Sequence, residues 1–599
     1  MEPARLGRNG PRGSSATRAR RGSVERPVDM RLVRNLGTLV VAALLLVVVT
    51  VARPGPLPAP ALPPAFDGAT ATGLTVEFAT NHASRVPGTL EADRAADWFT
   101  EKLALYGLEV EEDVWREDVP GLGGRQLRNL ASVVEGTLEE TIVVVAHRDN
   151  SGRGAGANDN ASGTAALVEL ARAYATAGTT ASSRTPLHTL VFLSSDAGAY
   201  GSLGIARFVA RSPLAPRTVA VVALDGLAGK TPVRLELAGL GRRSPPPALV
   251  RTAAARTAAE LGADALQPGL LTQLVALGLP FGYGEQAPLL GARIPAIRLT
   301  TSADGGAPAG ADELEGVDSQ RLEQLGRAAE SLLASLDTAV EIPSGTAATL
   351  YLGDRAVRGW ALQLLLLVAV LPFAGAAFDL LSRCRRRRLP LRPAWWALRR
   401  RTGLSILLLV AVALAALAGA FPRTPELPPP PDEPPVDSWP VVAIAVAAVC
   451  ALLVWLRGRA RPSARAAVTA ESELAAHAVA YVALTGIAAG VALVSPFGLV
   501  FVLPSLYAWL VLPQLRRSPA WVTDVAFGLG FLGPVLALVV LAEQLELGAR
   551  APLYAVSLMT TGVVPWASTV LLAGWLAVAG LVGTLAAGCY AEPAVSRGR

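Results

Sequence analysis

The chain is poor in cysteine and histidine. Three cysteines occur in 599 residues, at positions 384, 450 and 589. All lie in or beside the apolar C-terminal half, and residues 65–337 hold none. A disulfide framework and a thiolate metal site are thereby excluded from that segment. Its histidines are His82, His147 and His188 alone, so any metal there must lean on carboxylates. Aromatic residues make up 6% of the chain and do not interleave with its arginine runs. Nucleic acid is therefore not an expected partner.

What the chain has in abundance is apolar sequence. Hydrophobic residues are 52% of the total, too many for an ordinary soluble protein, and they point to membrane spans. The formal net charge of +6 sits in a few arginine-rich runs beside apolar segments. Residues 1–35 are polar and basic, and read as a disordered cytoplasmic tail. Residues 36–52 form an uncharged run long enough to span a bilayer, read as an uncleaved anchor, with a cleaved signal peptide as the rival reading. Residues 53–64 are a proline-rich stalk. A bundle of about seven spans is expected within 359–589, near 359–381, 403–421, 440–456, 475–495, 497–514, 521–542 and 565–589. The stretch "APLYAVSLMTTGVVPW" before the last span reads as an interfacial or re-entrant piece. The loops alternate in charge: "SRCRRRRLPLRPAWWALRRRT", "RGRARPSAR" and "QLRRSP" are basic, whereas "PRTPELPPPPDEPPVDSW" and "EQLELGAR" are acidic. The positive-inside rule then puts both termini in the cytoplasm and residues 65–343 outside a plasma membrane crossed about eight times. The spans carry no run of charges, which gives an ion path no support.

Residues 65–343 have the texture of a globular domain. "TIVVVAH", "TLVFLSS", "TVAVVALDG", "VRLELAG" and "IPAIRLT" predict strands, and "GTAALVELARAYA" and "SQRLEQLGRAAESLLASL" predict helices. This alternation predicts an α/β fold, a largely parallel mixed sheet between helices. His147 and Asp149 then lie just past the C-terminal end of a buried strand, where such sheets place their sites. Asp159 follows in a glycine-rich loop that opens a helix. A histidine with aspartates at strand ends suits zinc, and Asp149 is placed to orient the imidazole of His147. His188 starts the strand that ends at Asp196, roughly 26 Å away at ~3.3 Å per residue, on the opposite edge.

The stretch "HRDN…GANDNASG" resembles the metal signature of the co-catalytic zinc aminopeptidases, metallopeptidase family 28 of the MH clan. "NHASRVPGT", "RNLASVVEGT", "VFLSSDAGAYGS", "VVALDGL" and "GEQAPLLGARIPAI" resemble further segments of that family, in the same order. The resemblance implies that His147 and Asp225 bind one zinc and that Asp159 bridges to a second. The second half departs from the pattern. Asp196 stands where the family has a glutamate ligand, Gln286 where it has a histidine, and Ser195 where it has the general base. A serine hydroxyl cannot take a proton from water near neutral pH. Glu285, beside Gln286, is the candidate to turn inward as a substitute ligand or base.

The resemblance with these departures implies at most one zinc and impaired peptide hydrolysis in a membrane-embedded binding or assembly subunit. Its partner would be a peptide or a membrane protein. The alternatives are an active membrane-bound aminopeptidase, and a transport or lipid-handling module with an external domain. The layout also resembles the endoplasmic-reticulum metallopeptidase type and the GPI-transamidase attachment subunit.

Overall fold

A computed structural model describes residues 28–175, 185–279, 282–302, 312–417, 470–587 and 590, apart from residues 340 and 343. The basic tail before residue 28, the run at 440–456, the acidic loop before it and the C-terminal "SRGR" lie outside the described residues.

The first helix, α1 (Met30–Val49), begins six residues before the apolar run and takes in Arg31 and Arg34. The proline-rich segment after it is tied down. Ala52 pairs with Ala356 through two backbone hydrogen bonds. Leu57 donates its N–H to Thr252 and accepts from Arg256 through its carbonyl. Just beyond the stalk, Ala65 and Phe66 donate their N–H groups to the Glu330 carboxylate, so the stalk is fastened before, within and after its length to later parts of the chain.

The domain then lays down α2 (Gly68–Asn81), α3 (Leu90–Ala104), β1 (Glu111–Val119), β2 (Gly123–Val134) and β3 (Leu138–His147). There follow α4 (Gly163–Ala175), β4 (His188–Ser195), α5 (Leu203–Arg211), β5 (Thr218–Asp225) and β6 (Arg234–Glu236). The domain ends with α6 (Pro247–Leu261), α7 (Leu270–Gly278), α8 (Gln286–Gly291), β7 (Ala296–Thr300) and α9 (Ser319–Asp337). Side-chain caps start the helices where the sequence offers them: Thr89 accepts from Ala92 N–H, and Asp318 from Arg321 N–H. The seven strands form one mixed sheet in the order β1-β2-β4-β3-β5-β7-β6. The central strands β4, β3, β5 and β7 run parallel, while β2 and β6 close the two sides antiparallel.

The central strands are apolar throughout because both faces of the sheet are covered. Ile142, Val144 and Ala146 of β3 point into the larger core, under α2, α4, α6 and α9. Val143 and Val145 point into the smaller core, under α5 and α8. The same alternation holds in β4, with Leu190 and Phe192 on the first side and Val191 and Leu193 on the second. Register aligns the strand ends: His147 pairs with Ser195 across β3 and β4, and Asp225 with Thr300 across β5 and β7. The polar residues that end these apolar runs therefore meet along one edge.

After the domain, a hairpin of β8 (Thr349–Leu352) and β9 (Arg355–Arg358) leads into a helical C-terminal part. Among the described residues, five helices are long and apolar enough to cross a membrane, or six if a bent pair counts as one. They are α1, Gly359–Arg386, Glu471–Val494, Pro496–Leu515 and Trp566–Ala586, with the bent pair Ala520–Leu529 and Leu532–Gln544. The helix Arg392–Leu417 carries the expected run at 403–417 behind an arginine-rich start. The "APLYAVSLMT" stretch is a short helix, Ala551–Thr560.

Candidate metal centre

Three strand and loop ends converge on one point. His147 ends β3, Asp225 ends β5, and Asp159 sits in the turn that leads into α4. Ligand atoms of the three lie within 4.8 Å of one another. His147 Nε2 is 3.2 Å from Asp159 Oδ1 and 3.6 Å from Asp225 Oδ1. His147 and Asp225 are buried, and Asp159 is the partly exposed member.

Hydrogen bonds fix each of the three. Nδ1 of His147 lies 3.1 Å from the backbone carbonyl of Asp149. A carbonyl can only accept, so Nδ1 carries the hydrogen and Nε2 is turned to the two carboxylates. The Asp149 carboxylate stands 3.5 Å from the same nitrogen and accepts from the N–H groups of Gly198 and Ala199. Asp149 thus holds the ring through its backbone and the turn after β4 through its side chain. That turn passes very close to the ring: a Cβ on Gly198 would lie 2.3 Å from Cβ of His147. Asp159 is positioned by Asp312, whose carboxylate accepts from the N–H groups of Asn158 and Asp159 at 2.7 and 2.8 Å. Oδ2 of Asp225 accepts from the Arg298 guanidinium at 2.8 Å, and its buried Oδ1 has no hydrogen-bond partner.

The turn itself is stitched by Asn160. Its Nδ2 donates to the carbonyls of His147 and Leu224, and its Oδ1 accepts from Gly163 and Gly226 N–H. One fully buried side chain thereby joins the ends of β3 and β5 to the start of α4. Arg85, from the "NHASRVPGT" segment, is also fully buried and donates to the carbonyls of His82, Arg148, Ala155 and Gly156. It fixes the path of the loop that carries Asp149.

The electrostatics of the triad require a cation. Burial opposes charge on the imidazole of His147, but the surrounding carboxylates of Asp149, Asp159 and Asp225 override this and raise its pKa well above the ordinary value. Burial, with the charge of Asp225 next, pushes the Asp159 carboxyl up to about 6. Burial acts on Asp225 too, but Arg298 and His147 reverse it and hold that carboxyl below the usual range. A ring nitrogen facing two carboxylates is stable only with a proton or a metal ion between them. One imidazole, two carboxylates and an orphaned oxygen suit a borderline divalent ion such as zinc, so the residues fit that metal.

The other expected site residues divide. Asp196 is already engaged: its carboxylate pairs with Arg148 at 3.1 Å and accepts from Arg128 and Ala197 N–H. Burial raises its pKa, with Arg148 acting against that. Gln286 opens α8, and its Nε2 donates to the carbonyls of Ala238 and Tyr283. His188 lies at the opposite strand end, held by Asp337.

Glu285 and Ser195 come together. The Ser195 hydroxyl donates to Glu285 Oε1. Glu285 is buried, and its Oε2 has no hydrogen-bond partner. Burial pushes its pKa up to about 7, while the charges of His147, Asp225 and Asp149 all reach it. A glutamate at position 195 would extend its carboxylate beyond the site of the serine hydroxyl. Glu285 delivers a carboxylate to that same region from the other side.

Arg298, Asp312 and Arg148 were not singled out from sequence. Arg298 had a signal: it is the one charge in the apolar run "IPAIRLT", and a buried charge needs a partner. Asp312 sits in an acidic loop with nothing local to distinguish it.

No curated protein matches this chain. Among solved structures, a zinc aminopeptidase from Bacillus subtilis is similar at 14% identity and a TM-score of 0.38, covering 47% of this chain and 98% of that one. A glutaminyl cyclase of Porphyromonas gingivalis is similar at 17% identity and a TM-score of 0.34, covering 45% of this chain and 98% of that one. An aminopeptidase from Aneurinibacillus sp. strain AM-1 is similar at 14% identity and a TM-score of 0.37, covering 46% and 95%. The model of Peptidase family M28 matches residues 129–272. That span includes His147, Asp159 and Asp225 and stops short of Glu285 and Arg298. Over residues 129–272, then, the chain is similar to Peptidase family M28.

Proposed function

We propose that this protein is a membrane-embedded metallohydrolase of the aminopeptidase type, with one zinc and a general base supplied by Glu285. The observation that carries this reading is the buried Glu285 carboxylate, bonded to Ser195, with one oxygen unpartnered and within the electrostatic reach of His147 and Asp225. It favours the active alternative over a site emptied of chemistry.

His147, Asp159 and Asp225 would hold the zinc, which when bound supplies Lewis-acid chemistry at a carbonyl and lowers the pKa of water. The protein's own groups do the rest. Arg298 holds Asp225 in its deprotonated, ligating form. Asp149 keeps His147 in the tautomer that turns Nε2 to the metal. Glu285 takes a proton at Oε2 from the water that attacks the acyl carbon. As the C–N bond breaks, the same carboxyl returns that proton to the leaving amine. A base with a pKa near 7 is well matched to this exchange at neutral pH.

Asp196 and Gln286 support a single metal ion over two. Arg148 already neutralises Asp196, and a second dication there would compete with a buried guanidinium. Gln286 spends its amide nitrogen on two carbonyls and has no imidazole to offer. The apolar helices support the placement in a membrane, and the loop charges support an external domain.

Purified full-length protein should contain one zinc per chain and release N-terminal residues from short peptides. His147→Ala should lose both the metal and the activity. Two stoichiometric zincs, or zinc retained in His147→Ala, would contradict the reading.

A further inference from the structure

The segment that carries Glu285 is seated on the C-terminal helical part, far away in sequence. Leu277 of α7 belongs to the core of that part, with Leu366, Phe497 and Leu506. Gly278, the last residue of α7, lies so close to it that a Cβ there would be 2.6 Å from the ring of Phe501. Leu279 and Tyr283 pack into a cluster made by Leu541, Leu545, Leu558 and Tyr554. The hydroxyls of Tyr283 and Tyr554 hydrogen-bond to each other, 271 residues apart. Tyr554 is fully buried in the helix Ala551–Thr560.

From Tyr283 the path to the site is short. Its carbonyl accepts from Nε2 of Gln286 at 2.7 Å, and Gly284 accepts from Ala287 N–H. Glu285 lies inside this turn, with its carboxylate on Ser195. The turn has one end on the helical part and the other in the metal centre.

We propose that Tyr554 is a positioning residue for Glu285, acting through Tyr283, so that the C-terminal helices set the placement of the base. This inference rests on the reading of Glu285 as the base. It also gives the short helix at 551–560 a task other than crossing a bilayer. Tyr554→Phe keeps the ring and its apolar packing and removes the bond between the hydroxyls.

The test uses the full chain in detergent or nanodiscs, with two readouts. Amide hydrogen exchange at residues 284–290 reports the order of the turn, and steady-state kinetics report its consequence. The loss of one hydrogen bond corresponds to roughly a 2- to 10-fold change. In Tyr554→Phe, exchange at 284–290 should rise by that factor, while zinc content is unchanged. The kcat should fall by a similar factor with KM held. Tyr283→Phe should do the same, and the double variant should lose no more than either alone. Unchanged exchange at 284–290 overturns the inference, as do additive losses in the double variant. An unchanged kcat in a hydrolysing protein overturns it too. If the unaltered protein hydrolyses nothing, the base reading fails, and the exchange comparison still decides whether Tyr554 orders the turn.

Discussion

At the scale of the residue, the chemistry turns on which side chain brings a carboxylate to the mouth of β4. Ser195 ends that strand and cannot act as a base, but its hydroxyl holds Glu285 from the loop before α8. A base works only when ionised. With its pKa at about 7, Glu285 is protonated and idle at pH 5, and the rate should climb as pH passes through neutrality. An unperturbed glutamate would already be ionised by pH 6. Exchanging the two side chains checks the geometry. Glu285→Ser should lose activity, and adding Ser195→Glu should recover a large part of it with zinc unchanged. A double variant no better than Glu285→Ser would mean that the two positions do not serve the same space. The triad residues were legible in the sequence because each is a polar residue closing an apolar run or opening a glycine-rich turn. Glu285 was legible only as a neighbour of Gln286, and nothing local says which of the two turns inward. That choice is made by Ser195, 90 residues away.

At the scale of the element, the sheet edge is built by strands whose apolar runs end in register. This was readable, since continuous β-branched runs separated by helical patterns specify a doubly covered parallel sheet. The antiparallel flanks were less so: β1 and β6 are mostly exposed or short, and carry weak apolar patterns. The joint between strands and turn is Asn160, whose four hydrogen bonds are all buried. Asn160→Ala would strand the Leu224 carbonyl and the Gly226 N–H, while the His147 carbonyl keeps the Thr164 hydroxyl and Gly163 N–H keeps the backbone carbonyl of residue 160. The expected cost is about 2–4 kcal/mol, seen as a lower unfolding temperature of the domain and weaker zinc retention. A variant as stable as the parent would mean that water replaces the side chain at no cost.

At the scale of the whole molecule, the domain and the helical part share contacts that sequence patterns do not encode. Hydropathy marks which helices are apolar, but it says nothing about which of them touches the site loop. Tyr554 had no signal because its partner is 271 residues away. The proline-rich stalk gave a similar lesson, since composition reads it as a spacer while Leu57 is held on α6 by Thr252 and Arg256. The proposed topology has its own check. Protease added to intact cells should remove residues 65–343, with cytoplasmic proteins left whole. Complete protection, alongside cleavage of known external proteins, would place the domain on the other side.

The central claim is that Glu285 is the working base of a one-zinc hydrolase. It is tested most directly by comparing the unaltered protein with Glu285→Gln at equal bound zinc, on the same aminoacyl substrate. Glutamine keeps the size and the bond to Ser195 but cannot take a proton. The account expects hydrolysis by the unaltered protein, and a loss of roughly 10²- to 10⁴-fold in kcat with zinc retained. Glu285→Gln hydrolysing at the parent's rate, or a zinc-loaded parent with no hydrolysis at all, would contradict it.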